Sequence, residues 1–199
     1  MLNPPSNLIF DDQYAFRPTG SATAALIATI DKITELLRLG KTVVLLSLDF
    51  SKAFDHVHHK TLFDKYEQLD LMDCVYNWTV SYFDDRAHTT KFEGEVSSER
   101  RINASVVQGS SIGPASFSIA ESDLQTRRRE FAMFKFADDV DLVTTLDNYD
   151  KITDEMEHIA SWAVENNLIL NKVKTREIIF VKGRAVTIPP ASFPLPRPQ

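Results

Sequence analysis

The chain has 199 residues, 43% hydrophobic and 25% charged, an ordinary composition for a soluble globular protein with one full core. Its net charge of −6 and pI ≈ 5.4 count against a stand-alone nucleic-acid binder, which is usually basic. The lone Cys74 excludes an intramolecular disulfide and a cysteine-based zinc site. No apolar run reaches about 18 residues and no signal-peptide pattern opens the chain, so the expectation is a soluble, intracellular protein with no membrane contact, in nucleus or cytoplasm.

Residues 1–18 read as irregular, because Pro4, Pro5 and Pro18 interrupt regular structure. A helix follows, capped by Thr19 or Ser21. Its stripe is Leu26, Ile30, Ile33 and Leu37, and Gly40 stops it. Residues 42–50, Thr-Val-Val-Leu-Leu-Ser-Leu-Asp-Phe, are apolar and β-branched without alternation, as in a strand buried on both faces. Asp49 near its end is therefore costly unless paired or metal-bound.

Residues from Ser51 to Leu69 read as helical, with His56, His58 and His59 at a surface helix start. A second helix over Asp73 to Phe83 places Val75, Trp78, Thr79 and Tyr82 on one face. His88 to Val96 and Glu99 to Val106 suggest an antiparallel pair. Gln108-Gly-Ser-Ser-Ile-Gly-Pro114 is a loop of small residues, followed by a helix to about Gln125. Arg127 to Arg129 read as a solvated turn.

Residues 132–144 form two short strands around Asp138-Asp139, the tip of a hairpin. A long amphipathic helix runs from Asn148 to Asn166, with Ile152, Met156, Ile159, Ala160 and Ala163 inward. Trp78 and Trp162 read as core. Leu168 to Leu170 and Glu177 to Val181 are further strands. From Thr187 onward, Pro189, Pro190, Pro194, Pro196 and Pro198 prevent regular structure. The expected fold class is α+β: an antiparallel sheet with helices packed on one face.

Three acids stand out by position, Asp49 at the end of a buried strand and Asp138 and Asp139 at a hairpin tip. Taken alone, the adjacent pair is an ordinary polar turn. If the strands are neighbours, the carboxylates converge and raise one another's pKa. Divalent cations relieve that repulsion, and two of them can stabilise the attacking and leaving oxygens of a phosphoryl transfer.

Four local sequences then occur in order: Leu48-Asp-Phe-Ser-Lys-Ala-Phe-Asp55, Gln108-Gly-Ser-Ser-Ile-Gly-Pro114, Phe136-Ala-Asp-Asp139 and Leu170-Asn-Lys-Val-Lys-Thr175. They resemble motifs A, B, C and D of reverse transcriptases from non-LTR retrotransposons. Gln13-Tyr-Ala-Phe-Arg-Pro18 resembles that family's fingers motif. The resemblance implies a polymerase palm over 41–182, partial fingers over 1–40 and a proline-rich tail over 183–199.

It also implies roles. Asp49, Asp138 and Asp139 match the catalytic acids that hold two Mg²⁺ (or Mn²⁺), with the Phe50 carbonyl as an extra ligand. Lys174 matches a general acid for the leaving pyrophosphate. Phe54 matches the steric gate against a ribose 2′-OH. Gln108 and Gly109 match the loop at the incoming nucleotide, and Arg17 a phosphate or template contact. The plain alternatives are core packing for Phe54, an ordinary turn for Gln108 and Gly109, and solvated charges for Arg17 and Lys174. The implied partners are an RNA template, a DNA primer and dNTPs, and the implied activity is RNA-directed DNA polymerisation.

The sequence departs from that pattern at Ala15, usually glycine, and at Thr19, usually basic. Val107 stands before Gln108 where proline is usual, and Ala115 replaces a large apolar residue. No thumb or primer-grip segment is recognisable after Val181. The alternative expectation is therefore a truncated, catalytically silent retroelement remnant that at most binds RNA or a partner. A nuclease or nucleotide cyclase on a palm-like fold is a third reading, disfavoured by motifs B and D.

Overall fold

A strand that is apolar at every position has to be covered on both faces, and residues 43–48 are such a strand. The structure, a computed structural model, describes residues 8–183 and places β1 (Val43–Asp49) inside a four-stranded sheet. The strand order is β6-β7-β1-β8, with β6 Ala132–Phe136, β7 Asp139–Thr145 and β8 Arg176–Phe180. Every pairing is antiparallel. Gln13 and Lys135 extend the sheet by a short parallel bridge, in which the Tyr14 N–H donates to the Lys135 carbonyl at 2.8 Å.

Alternate residues of β1 serve two cores. Val44, Leu46 and Leu48 join the large one with Leu62, Phe117, Met156 and Ile159. These come from α3 (His59–Glu67), α5 (Gly113–Ala120) and α6 (Ile152–Glu165). Val43 and Leu45 face the other way, onto Ile33 of α1 (Ala22–Arg38). The helices of the proposed palm thus cover one face. The helix before β1 covers part of the other and leaves the Asp49 end of that face open.

Several expectations need correction. Ser21, not Thr19, caps α1 by accepting the Ala24 N–H at 3.0 Å. Leu26 and Ile30 are 57% and 51% exposed, because α1 turns Thr29 and Ile33 to the sheet instead. The helical run after Ser51 breaks into α2 (Ala53–His56) and α3. At the break the backbone pairs with residues 103–105: the Ser105 N–H donates to the Val57 carbonyl and the His59 N–H to the Asn103 carbonyl, each at 2.9 Å.

His59 is buried rather than superficial, with its ring on the Ser105 carbonyl at 2.9 Å, and burial lowers its pKa. Trp78 on α4 (Asp73–Phe83) is 57% exposed, since α4 buries Thr79 and Phe83; Trp162 is core as expected. The pair expected over 88–106 is reduced to β2 (Ala87–His88) with β5 (Arg100–Arg101), and β3 (Lys91–Phe92) with β4 (Glu95–Val96).

α5 stops at Ala120, short of Gln125. A 3-10 turn over Leu146–Lys151 precedes α6, and Leu168 to Leu170 make a single bridge, Phe50 to Leu170. Among the described residues no helix is long and apolar enough to cross a membrane. The proline-rich tail lies outside the described residues.

Candidate active site

The ladder between β1 and β7 ends on two acids facing each other, Asp49 opposite Asp139. Backbone parity fixes the kind of pair. Asp49 uses its carbonyl on the other neighbour, accepting the Asn171 N–H at 2.8 Å, and Leu146 N–H to Thr42 carbonyl at 2.9 Å closes the far end of the ladder. Asp49–Asp139 is thus a non-hydrogen-bonded pair, the closer antiparallel spacing, with Cα atoms about 4.5 Å apart. Both side chains leave on the open face. Phe50 is buried, and its own peptide groups point toward the hairpin rather than toward Leu170.

The hairpin tip is Ala137-Asp138, not Asp138-Asp139, because Phe136 pairs with Asp139. Two-residue hairpin loops favour positive φ, and Ala137 takes φ 53°. Asp138 is half-buried and Asp139 exposed. The Asp139 carboxyl titrates above its usual range, first through desolvation, then through Asp138, Asp49 and Asp141, with Lys174 opposing. Asp141, on the same face, is raised chiefly by burial, while hydrogen bonds from Ser47 and Thr29 lower it.

Lys174 is brought to this cluster. A tight turn over 171–175, in which Asn171 Oδ1 accepts the Val173 and Lys174 N–H groups at 3.2 Å each, aims it there. Its Nζ lies 3.2 Å from Asp49 Oδ1, while Asp49 Oδ2 is buried with no hydrogen-bond partner. Among the described residues no three Asp, Glu, His or Cys side chains close around one point. The donor set still suits a hard divalent cation: an orphaned buried carboxylate oxygen beside two more carboxylates, with Asp139 raised by desolvation and then by repulsion among them.

The remaining candidates are placed as follows. Phe54 is half-buried and stacks on Phe117, with ring centroids 4.3 Å apart and planes 9° apart. Gln108 is exposed and donates to Asp55 Oδ1 at 3.3 Å. Gly109 takes φ +82°, which a side chain would strain. Arg17 is engaged within its own loop, donating to the Phe10 and Gln13 carbonyls and lying 3.8 Å from Asp11.

Sequence reading missed a polar group behind the hairpin: Gln13, Glu121 and Lys135, all buried. The available signal was the polarity of Phe117-Ser-Ile-Ala-Glu-Ser-Asp-Leu124 after motif B. It also missed Thr29, whose hydroxyl donates to Asp141 at 3.3 Å and ties α1 to the sheet.

Residues 1–187 match the family described as Reverse transcriptase (RNA-dependent DNA polymerase). The RNA-directed DNA polymerase from mobile element jockey of Drosophila funebris is 26% identical over 86% of this chain and 20% of its own length. A probable RNA-directed DNA polymerase from transposon X-element of Drosophila melanogaster is 27% identical over 95% of this chain and 22% of its own. The chain therefore spans about a fifth of these relatives.

Among solved structures, telomerase from Candida tropicalis in complex with a telomeric RNA fragment superposes with a TM-score of 0.66 at 13% identity. It covers 84% of this chain and 30% of that one. The apo telomerase truncated from its C-terminal domain gives 0.66 at 14% identity over 87% and 37%. At such identities the likeness is one of fold. The match over nearly the whole chain decides the lineage: this chain belongs to the reverse transcriptase family.

Proposed function

We propose that the chain is the palm-centred part of an RNA-directed DNA polymerase, with residues 8–40 contributing to its fingers. In this reading a primer 3′-OH attacks the α-phosphate of a dNTP on an RNA template. The observation that supports it most is the end of the β1–β7 ladder, where Asp49 faces Asp139 beside Asp138 and keeps one buried oxygen without a partner.

Asp49, Asp138, Asp139 and the Phe50 carbonyl would hold two Mg²⁺, which when bound stabilise charge on the attacking and leaving oxygens. Lys174, already at Asp49, is a candidate proton donor to the leaving pyrophosphate. Phe54, fixed flat on Phe117, presents a rigid wall where a ribose 2′-OH would stand. Gln108 and Gly109 offer an exposed amide and an open backbone to the nucleotide. Arg17 can serve phosphate once released from its loop carbonyls.

Mg²⁺-dependent extension of a DNA primer on an RNA template tests the proposal. Asp138→Ala should abolish it, and extension that survives this change overturns the assignment. The second reading is a silent remnant, favoured by the net charge of −6 and by the internal engagement of Arg17. Cation-dependent dNTP binding without extension supports that reading.

A further inference from the structure

The turn that carries Asp138 is held by a side chain more than a hundred residues away in sequence. Ala137 has the left-handed φ of 53° that non-glycine residues avoid. Its N–H finds no backbone acceptor there and donates to Gln13 Oε1 at 3.1 Å. The same oxygen accepts the Ala15 N–H at 2.9 Å. Two backbone donors on one atom fix the amide's orientation, since its NH₂ end could accept neither. The nitrogen must then donate, and it does, to Glu121 Oε2 at 3.1 Å.

The grip is buried at both ends. Gln13 is 2% exposed and Glu121 is fully buried. The backbone beside Gln13 is pinned to β6, with the Lys135 N–H on the Asp12 carbonyl at 2.7 Å. The Lys135 ammonium donates to the Glu121 and Leu124 carbonyls at 3.1 Å each and lies 3.0 Å from Asp12. One amide thus joins the N-terminal segment, the end of α5 and the hairpin.

We propose that Gln13 is a positioning residue for the Asp138 turn. By accepting the Ala137 N–H it holds the left-handed conformation and sets where Asp138 stands relative to Asp49 and Asp139. The inference rests on the reading of Asp138 as a cation ligand. Gln13 itself touches no reacting atom.

Gln13→Met keeps size and burial but removes both the acceptor and the donor. In the full chain, amide exchange measured by NMR should speed up about five-fold at Ala137, the loss of one hydrogen bond. It should stay unchanged at Leu142, in the middle of β7. The Mn²⁺ dissociation constant, read by electron paramagnetic resonance, should rise about ten-fold, as when a ligand's supporting contact is removed. Unchanged Mn²⁺ affinity overturns the proposal.

Should Gln13→Met fail to fold, the exchange Gln13→Glu with Glu121→Gln decides. It keeps an acceptor for both N–H groups and reverses the donor below them, so Ala137 protection and Mn²⁺ affinity should match the wild type. Lost affinity with Ala137 still protected overturns the proposal. Asp138→Asn is the control. If it leaves Mn²⁺ affinity intact, the cation reading has failed and takes the proposal with it, while Ala137 exchange still reports the Gln13 contact and tells the two failures apart.

Discussion

Lys174→Met should tighten divalent cation binding while slowing nucleotide addition. The Lys174 ammonium lies 3.2 Å from Asp49 Oδ1, with the lysine side chain 67% exposed and the aspartate 20%. An ammonium and a divalent cation compete for that oxygen, so the cation must displace the ion pair before it binds there. Exposed pairs contribute about 0.2–1 kcal/mol. Removing the competitor should therefore lower the cation's dissociation constant by about 1.4- to 5-fold. Methionine keeps most of the aliphatic stem, so packing changes little.

The assay is a Mn²⁺ titration followed by electron paramagnetic resonance at low and high KCl. The gain should shrink at high salt, where the Debye length falls to about 3 Å at 1 M. Primer extension in the same samples reads the second effect, slower turnover through loss of the proton donor. Weaker or unchanged cation binding at low salt would refute the competition argument. An unchanged extension rate would remove Lys174 from the chemistry.

Three further outcomes are expected. Asp139 titrates above 3.8, so the native state holds its proton more tightly than the unfolded chain, and stability is lost as pH rises from 3.8 through the folded pKa. Asp139→Asn should accordingly stabilise the cation-free chain at pH 7 by about 0.2–1 kcal/mol, the scale of like charges across a strand pair. Urea midpoints should converge with the wild type below pH 3.8. Phe54→Val removes the stack on Phe117, costs about 1 kcal/mol and raises ribonucleotide incorporation relative to dNTP about ten-fold; an unchanged ratio reduces Phe54 to packing. Lys65→Met removes the buried ammonium shared by Asp123, the Asn166 side-chain oxygen and the Ala120 carbonyl, and should cost about 3 kcal/mol in urea unfolding.

What the sequence displayed was whatever residue type settles locally. Residues 43–48 carry no alternation, so a doubly covered strand was readable from them alone, and the sheet around β1 followed. Helix faces were less legible. α1 offers Leu26, Ile27 and Ile30 as readily as Ile33, and only the Thr29–Asp141 bond and the contact with Leu45 choose between them. The break between α2 and α3 depends on residues 103–105, some 45 positions away, and no local signal announces it. Asp49 and the hairpin acids were visible because polar groups ended apolar runs. The task of Gln13 was not, because the motif it opens lies in an irregular segment and its amide has no fixed partners until Ala137 is folded against it.

The site and its support therefore obey different physics. The carboxylates gather where the β1–β7 ladder runs out, on the face that α1 leaves open, and packing alone would not favour that gathering. Asp49 keeps a buried oxygen unpaired, and Asp139 is raised by desolvation and then by its neighbours. Groups of this kind persist only when the surrounding structure over-determines them. Here that constraint comes from behind the hairpin, where Gln13, itself held by Glu121, and Lys135 satisfy backbone groups on three segments at once. A turn held by its backbone leaves its side chain free to face a charge it would otherwise avoid. That division explains why the buried residues most needed for the acids' geometry are polar rather than apolar, and why they stand on segments distant in sequence.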